Sequence, residues 1–376
     1  MRIAALGDAH LGRSATTATT AEGVNQREFD FEVSFEAAVA AALATEPDLV
    51  VWLGDVFDHP RPNYRSFRVV MRALAKIRAH GLGLVAISGN HDTPRLPGVG
   101  NPYAVLADAF PEFHFAYRLQ YERFEVPGLL IHAVPQTRTA EDAVDALRDA
   151  GRRRSADRVN LLLTHPLVHS VERRYADMNE IEIDENELQS DLVLLGHYHT
   201  YCEVKPAVWY AGSTDTFSFG DDPGRGKGIV VVDTDAGTCR HMNLPGQRPL
   251  RTPEPVYAAG LGPNEVRQLI GERFGALAPG TVARLELDMI DPDVYRLLDL
   301  PGIHADAAHL LHLKLEPRFT LPTRPIEEMP ELATIGARWR AYVTEQGADD
   351  LDIERVSRTG QDYLEKAIDA AIEPDS

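Results

Sequence analysis

Cysteine is almost missing from this chain. Its 376 residues hold two, Cys202 and Cys239, and no CxxC pair, so no disulfide framework is implied. Long hydrophobic runs are missing too. None reaches the roughly 18 residues that a bilayer-spanning helix needs. The opening "MRIAALGDAH" carries a short apolar run broken by Asp8, which reads as a first strand rather than a signal peptide. The expected location is therefore cytoplasmic, with no membrane partner. Net positive charge is also lacking, at a formal −19. That argues against a protein that coats DNA through its surface charge. It leaves room for an enzyme that grips phosphates through metal ions, because bound cations reverse the local sign. No internal repeat or long low-complexity tract occurs, and "TTATT" (16–20) is only a small polar loop.

What is present is an ordinary globular balance, 44% hydrophobic and 25% charged, in a length that suits two domains. The first 245 residues alternate strand-like and helix-like segments. Apolar runs stop at Asp8, at Asp55 ("DLVVWLGD"), at Asn90 ("LGLVAISGNHD"), at His165 ("VNLLLTHP") and at His197 ("DLVLLGHYH"). Helical patterns lie near 33–44 and 64–80. Continuous apolar strands alternating with helices predict an α/β sheet covered on both faces. Ligands bind beyond the carboxyl ends of such strands, and all five polar clusters fall there.

A proline-rich stretch, "LPGQRPLRTPEP" (244–255), reads as a linker. A small unit at 256–318 follows, with a helix near 263–275, a strand at 282–288, a helix near 292–299 and a strand at 309–316. A second linker is expected at 317–330. The tail, 331–376, reads as an amphipathic helical segment that packs on its own domain or takes a partner.

One histidine at a strand end is more often structural than a ligand. Five ordered clusters together leave that reading little room: Asp8 and His10, Asp55 and Asp58, Asn90 with His91 and Asp92, His165, then His197 and His199. Carboxylates, imidazoles and one amide, with no thiolate, suit Mn²⁺, Mg²⁺, Fe²⁺ or Zn²⁺. Seven ligands are too many for one ion and suit two ions roughly 3.5–4 Å apart sharing a carboxylate. Strand alternation would send Asp8 and His10 to one side together, and likewise His197 and His199.

The motifs "GDAH", "GDVFD", "GNHD", "THP" and "GHYH" resemble, in order and spacing, the five motifs of calcineurin-like metallophosphoesterases. The resemblance covers about residues 1–235. It implies a four-layer αββα sandwich with two divalent metal ions. Asp8, His10, Asp55 and His199 would hold one ion, and Asp55, Asn90, His165 and His197 the other. His91 would be the general acid or transition-state donor, and Asp58 the acid that orients it. His59 is read as structural or substrate-near. The implied reaction is in-line displacement at phosphorus by metal-activated water, with His91 serving the leaving oxygen.

Further stretches narrow the resemblance. They are "DAHLG" (8–12), "NQREFDFEVSFEAAV" (25–39) and "YAGSTDTFSFGDDPGRGKGIVVVD" (210–233). Together they are similar to SbcD-type DNA repair nucleases, counterparts of the meiotic recombination nuclease. That resemblance implies Mn²⁺-dependent exonuclease and endonuclease action on DNA ends. It also implies a small α+β capping domain, a helical C-terminal tail that binds an SbcC-type ATPase, and a homodimer. Arg13, Arg61, Arg65 and the cluster Arg152–Arg154 are candidate DNA contacts, though such residues are more often solvated surface charges. Two other readings stay open. One is a nucleotide or small-phosphodiester hydrolase, or a diverged phage or defence nuclease subunit, with the same metals. The other is a subunit that mainly binds DNA ends.

Overall fold

The computed structural model describes residues 1–96, 99–171, 180–221 and 226–320, and beyond them Trp339, Val343, 354–361 and Tyr363. Two six-stranded sheets face each other. The first holds β1 (Arg2–Leu6), β2 (Leu49–Trp52), β3 (Gly83–Ile87), β4 (His114–Ala116), β13 (Gly228–Asp233) and β14 (Thr238–Asn243), in the order β14-β13-β1-β2-β3-β4. The second holds β5 (Glu122–Val126), β6 (Leu129–Val134), β7 (Val159–Thr164), β10 (Leu192–Leu195), β11 (Cys202–Lys205) and β12 (Val208–Tyr210), in the order β11-β12-β10-β7-β6-β5. A short pair, β8 (Leu167–Val168) and β9 (Glu182–Ile183), lies apart. β1 to β4 run parallel, as do β6, β7, β10 and β12. The carboxyl ends of β1, β2 and β3 therefore share one edge.

Four helices clothe the sandwich: α1 (Gln26–Ala44), α2 (Tyr64–Ala79), α3 (Pro102–Ala109) and α4 (Ala140–Arg152). Each starts on a side chain that accepts backbone N–H groups: Asn25, Asn63, Asn101 and Thr139. Such a cap stabilises a helix by about 1 kcal/mol. Three apolar cores fill the gaps between four layers. Phe35, Val39, Leu74 and Tyr103 pack α1, α2 and α3 on Trp52 and its neighbours in the first sheet. Ile3, Val51 and Val85 meet Ile131, Leu161 and Leu194 between the sheets. Ala143, Leu147 and Ala150 of α4 meet Leu162 and Val193 behind the second sheet. The architecture is the αββα sandwich. The first-sheet strand β2 is buried along its whole length, which is why its sequence is one apolar run without alternation.

A third sheet follows. It contains β15 (Leu250–Arg251), β16 (Val256–Tyr257), β17 (Val282–Ile290) and β18 (His312–Phe319), all paired in parallel around β17. Helices α5 (Pro263–Gly275), α6 (Pro292–Arg296) and α7 (Leu300–Asp306) join them, over a core that includes Val266, Ile270, Leu285, Leu287 and Ile303. Arg248 ties the small unit to the sandwich. Its Nη2 donates to Asp30 of α1 at 2.9 Å and its Nη1 to the Gly280 carbonyl at 2.9 Å.

Several expected boundaries move. α1 starts at Gln26 rather than near 33, because Asn25 caps it. The stretch 244–255 is not only a linker, since Leu250 and Arg251 pair with β17. The helix expected at 292–299 ends at Arg296 as α6, and a further helix, α7, follows it, capped by Asp299. The strand expected at 309–316 is shifted to His312–Phe319, so it enters the segment read as the second linker. Trp339, Val343, 354–361 and Tyr363 are helical; the rest of the expected helical tail lies outside the described residues. Among the described residues, no helix is long and apolar enough to cross a membrane.

Candidate metal centre

Each strand end delivers its polar residues to one place. Backbone bonds set the spacing: Asp8 N–H donates to the Gly54 carbonyl at 3.1 Å, and His10 N–H to the Asp55 carbonyl at 2.9 Å. The His197 N–H donates to Asp8 Oδ1 at 2.9 Å, which sews the two sheets together. Asp92, fully buried, accepts from Phe57 N–H at 2.9 Å and Gly89 N–H at 3.2 Å, so the "GNHD" turn is pinned to the "GDVF" turn.

Strand alternation does not aim these side chains. Asp8 (φ 51°), His10 (φ 44°), Asp55 (φ 48°) and His197 (φ 85°) all lie in the left-handed region. That conformation costs roughly 1–2 kcal/mol per residue for an L-amino acid. The chain bends sharply after each strand, and the bend is what turns Asp8 and His10 inward together. Strain of this kind concentrates at functional sites. Glycines let the turns close. A Cβ on Gly89 would sit on the Asp55 carboxylate and the His165 ring, and one on Gly196 on the Leu53 carbonyl and the same ring.

The inner atoms converge. His10 Nε2 lies 3.1 Å from His199 Nε2, and His165 Nε2 3.1 Å from Asp55 Oδ2. Asp55 Oδ2 is also 3.9 Å from His10 Nε2, so this carboxylate stands between the two groups. His197 Nδ1 lies 3.2 Å from Asn90 Oδ1. Asp8, His10 and His199 bring ligand atoms within 4.8 Å of one another, as do Asp55, His165 and His197, and also His10, Asp55 and His91.

The outer ring nitrogens each face an oxygen. His10 Nδ1 is 3.2 Å from Asp58 Oδ1, and His165 Nδ1 is 2.6 Å from the Leu53 carbonyl. His199 Nδ1 lies 3.8 Å from Asp221, and His197 Nε2 3.9 Å from Glu180. Ligating histidines are oriented in this way, by an oxygen on the far nitrogen. Asp221, itself held by Lys227 at 2.6 Å, and Glu180 were not among the residues expected from sequence. The "GKG" at 226–228 was the available signal, since a buried lysine needs a carboxylate partner.

At the centre, the buried Asp8 Oδ2 has no hydrogen-bond partner. Without a cation the charges are badly matched. Burial pushes Asp8 up to about 7 and Asp92 likewise to about 7. Burial also works against charge on Asp55, but the surrounding histidines, His165 first, hold it well below the usual carboxylate range. Burial opposes the His165 cation, yet Asp55 and Asp8 push it up to about 9. Burial drives His199 down to about 3. Asp8, which resists ionising, and His199, which resists protonation, would both be relieved by a divalent cation between them. The donor set fits two ions: Asp8, His10, Asp55 and His199 on one side, Asp55, Asn90, His165 and His197 on the other.

The remaining expected residues fall around this centre. His91 is the most exposed histidine of the group, with 19% of its side chain open, and its Nδ1 lies 3.0 Å from the Asp58 backbone carbonyl. The Asp58 carboxylate is 3.8 Å from His91 and nearer to His10, so its orienting contact falls on a metal-site histidine, while its carbonyl meets His91. His59 accepts the Arg61 N–H at 3.0 Å, a local turn contact. Arg13 stacks on Phe217, 3.4 Å from the ring centre, and reaches Asp58 at 3.4 Å. Arg65 pairs with Glu32 at 2.6 Å, Arg152 and Arg153 with Asp149, and Arg154 with Asp191.

An αββα sandwich with Asp, Asn and His ligands at its strand ends defines a class. Residues 1–201 match the calcineurin-like phosphoesterase family, and the chain belongs to it. It is a metal-dependent phosphoesterase. It is similar to the DNA double-strand break repair protein Mre11 of Thermoplasma acidophilum, 26% identical over 337 residues, 81% of this chain and 86% of that one. The protein of the same name from Haloferax volcanii is 29% identical over 72% of this chain and 58% of its own length. The one from Methanocaldococcus jannaschii is 24% identical over 62% of each. The alignments thus span less than two thirds of the second and third relatives.

Proposed function

We propose that this protein is a two-metal-dependent DNA nuclease that processes DNA ends in double-strand-break repair, in the cytoplasm, with an SbcC-type ATPase. The convergence of inner nitrogens and carboxylates from all five motifs carries the reading. The kinship with proteins named for double-strand break repair supports the substrate. Bound divalent ions, Mn²⁺ foremost, would activate water and neutralise phosphate oxygens.

The chain's own residues do the rest. Asp55 holds both halves of the centre at a common point. His91, on the open side and hydrogen-bonded through Nδ1 to the Asp58 carbonyl, presents its other nitrogen to the leaving oxygen as proton donor. Asp58 and Asp221 fix His10 and His199 from behind. Arg13, stacked on Phe217 against Asp58, positions more than it recruits DNA. Phe29 and Val33 on α1 and Tyr64 at the start of α2 are exposed apolar groups, which supports a homodimer through these helices. In this reading 1–245 is the nuclease domain, 256–318 the capping domain, and 331–376 the ATPase-binding tail.

The test incubates the protein and its His91→Asn variant with end-labelled linear DNA and Mn²⁺, with and without the ATPase. Cleavage by the native protein, falling 10²–10⁴-fold in the variant, is expected. Undiminished cleavage in the variant would remove His91 from the mechanism. Hydrolysis of bis-p-nitrophenyl phosphate with no cleavage of DNA under any condition would assign a small-phosphodiester hydrolase instead.

A further inference from the structure

Two cavities adjoin the metal centre. One, of about 620 Å³, is bounded by Asp58, His59, Arg61, His91 and Arg95. The other, of about 550 Å³, is bounded by Arg95, Tyr117, Arg118, Gln136 and Arg138. They share Asn90, Thr93, Pro94 and Arg95, so they meet beside a candidate ligand and the proposed proton donor. Either alone is within the range of about 300–1,000 Å³ that holds a small ligand.

The charge of this trough contradicts the rest of the molecule. The chain carries 57 acidic against 38 basic residues. Yet the second cavity has three arginines and no acid among its described lining residues. Arg118 is partly neutralised by Glu122 at 2.6 Å. Arg95 and Arg138 have no ion-pair partner among the described residues. The three come from separate places: the turn after β3, the turn after β4, and the approach to α4. Arginine forks match phosphate oxygens in pairs. The Tyr117 ring, with the Arg118 guanidinium 5.0 Å from its centre, adds a flat face on which a base can stack.

We infer that this trough is the track of a DNA strand, with Arg95, Arg118 and Arg138 gripping phosphates on one side of the scissile bond and Arg61 on the other. The inference rests on the nuclease reading above and names where that substrate lies. A mononucleotide would fill one cavity. A polymer uses both, which is why two cavities that meet at Asn90 and Arg95, one of them lined by His91, point to a strand. The arginines expected from sequence at 65 and 152–154 are tied to acids, whereas Arg95 and Arg138 are not.

The experiment compares the native chain with an Arg95→Ala/Arg138→Ala variant. Binding of a single-stranded 20-mer is titrated against salt in a His91→Asn background, so that the probe survives. Affinity is expected to fall about tenfold, and the slope of log K against log salt to shrink by about 1.4, near 0.7 for each lost phosphate contact. In the active protein, cleavage of DNA relative to bis-p-nitrophenyl phosphate is expected to drop by a similar factor. If the native chain binds and cuts DNA while the variant keeps the same affinity, slope and ratio, the trough is not the track. If the native chain hydrolyses the small diester but binds no DNA, the nuclease reading and the track fall together.

Discussion

The rim of the sandwich and the small third sheet follow opposite rules. At the rim, four polar residues sit in left-handed backbone and carboxylates are fully buried. In the small unit the interior is apolar. Beyond residue 245, Thr281 is the one buried polar residue among those described. Its charges pair on the surface instead, as Arg267 does with Asp299 and Asp306 at 3.0 Å each. The small unit is built as folding physics alone would build it. The rim departs from those rules where ions and substrate must be held.

Glycine should separate the two regions most sharply. Gly89→Ala drives a Cβ into Asp55 and His165. It is expected to abolish Mn²⁺ binding by calorimetry and lower phosphodiesterase rates by at least about 100-fold. Gly271→Ala, in α5, meets nothing within 4 Å. Helix propensity then favours alanine by about 0.5–1 kcal/mol, so its melting temperature should rise slightly with the rate unchanged. A comparable result at both positions would erase the contrast.

Metal should act on the rim alone. At about 100 times its dissociation constant, Mn²⁺ is expected to stabilise the protein by about 2.7 kcal/mol, reversed by EDTA. Gly89→Ala should show no such gain in a thermal melt. Asp221→Asn comes next in size. Its loss of charge behind His199 is expected to weaken Mn²⁺ about 10–100-fold while the fold is retained.

The smallest effect lies at the joint between the regions. Burial disfavours the Asp30 charge, but Arg248, Gln26 and Arg27 overcome it and lower its pKa. A carboxylate with a depressed folded pKa stabilises above its unfolded value and loses that contribution as pH falls through the folded one. Arg248→Ala should therefore cost about 1 kcal/mol at pH 7. The gap from the native protein should close in acid, as denaturant melts at several pH values would show.

The sequence was most readable where one residue type has one use. Buried strands such as "LVVW" and the ligand motifs after them were legible, because few other contexts place aspartate, asparagine and histidine there in series. Asp8 and His10 do reach one site together, but through a bend rather than strand alternation, since positive φ at non-glycine residues leaves no mark in composition. Beyond the lysine of "GKG", which only asks for some carboxylate, nothing in the local chain says which histidine Glu180 or Asp221 will meet. The arginines split for the same reason. Arg65 finds Glu32 across the α1–α2 contact, 33 positions away, and no run of charge foretells it.

The bond from His197 to Asp8 joins residues 189 positions apart. During synthesis, a chain grown to residue 150 already carries Asp8, His10, Asp55, Asn90 and His91, but His165, His197 and His199 have yet to be made. Its strands β1 to β3 would hold part of the donor set, with Asp8 and Asp55 facing no imidazole from the second sheet. The centre is therefore completed late and at once, when both sheets close, and a chain ending before residue 165 holds only part of its donor set.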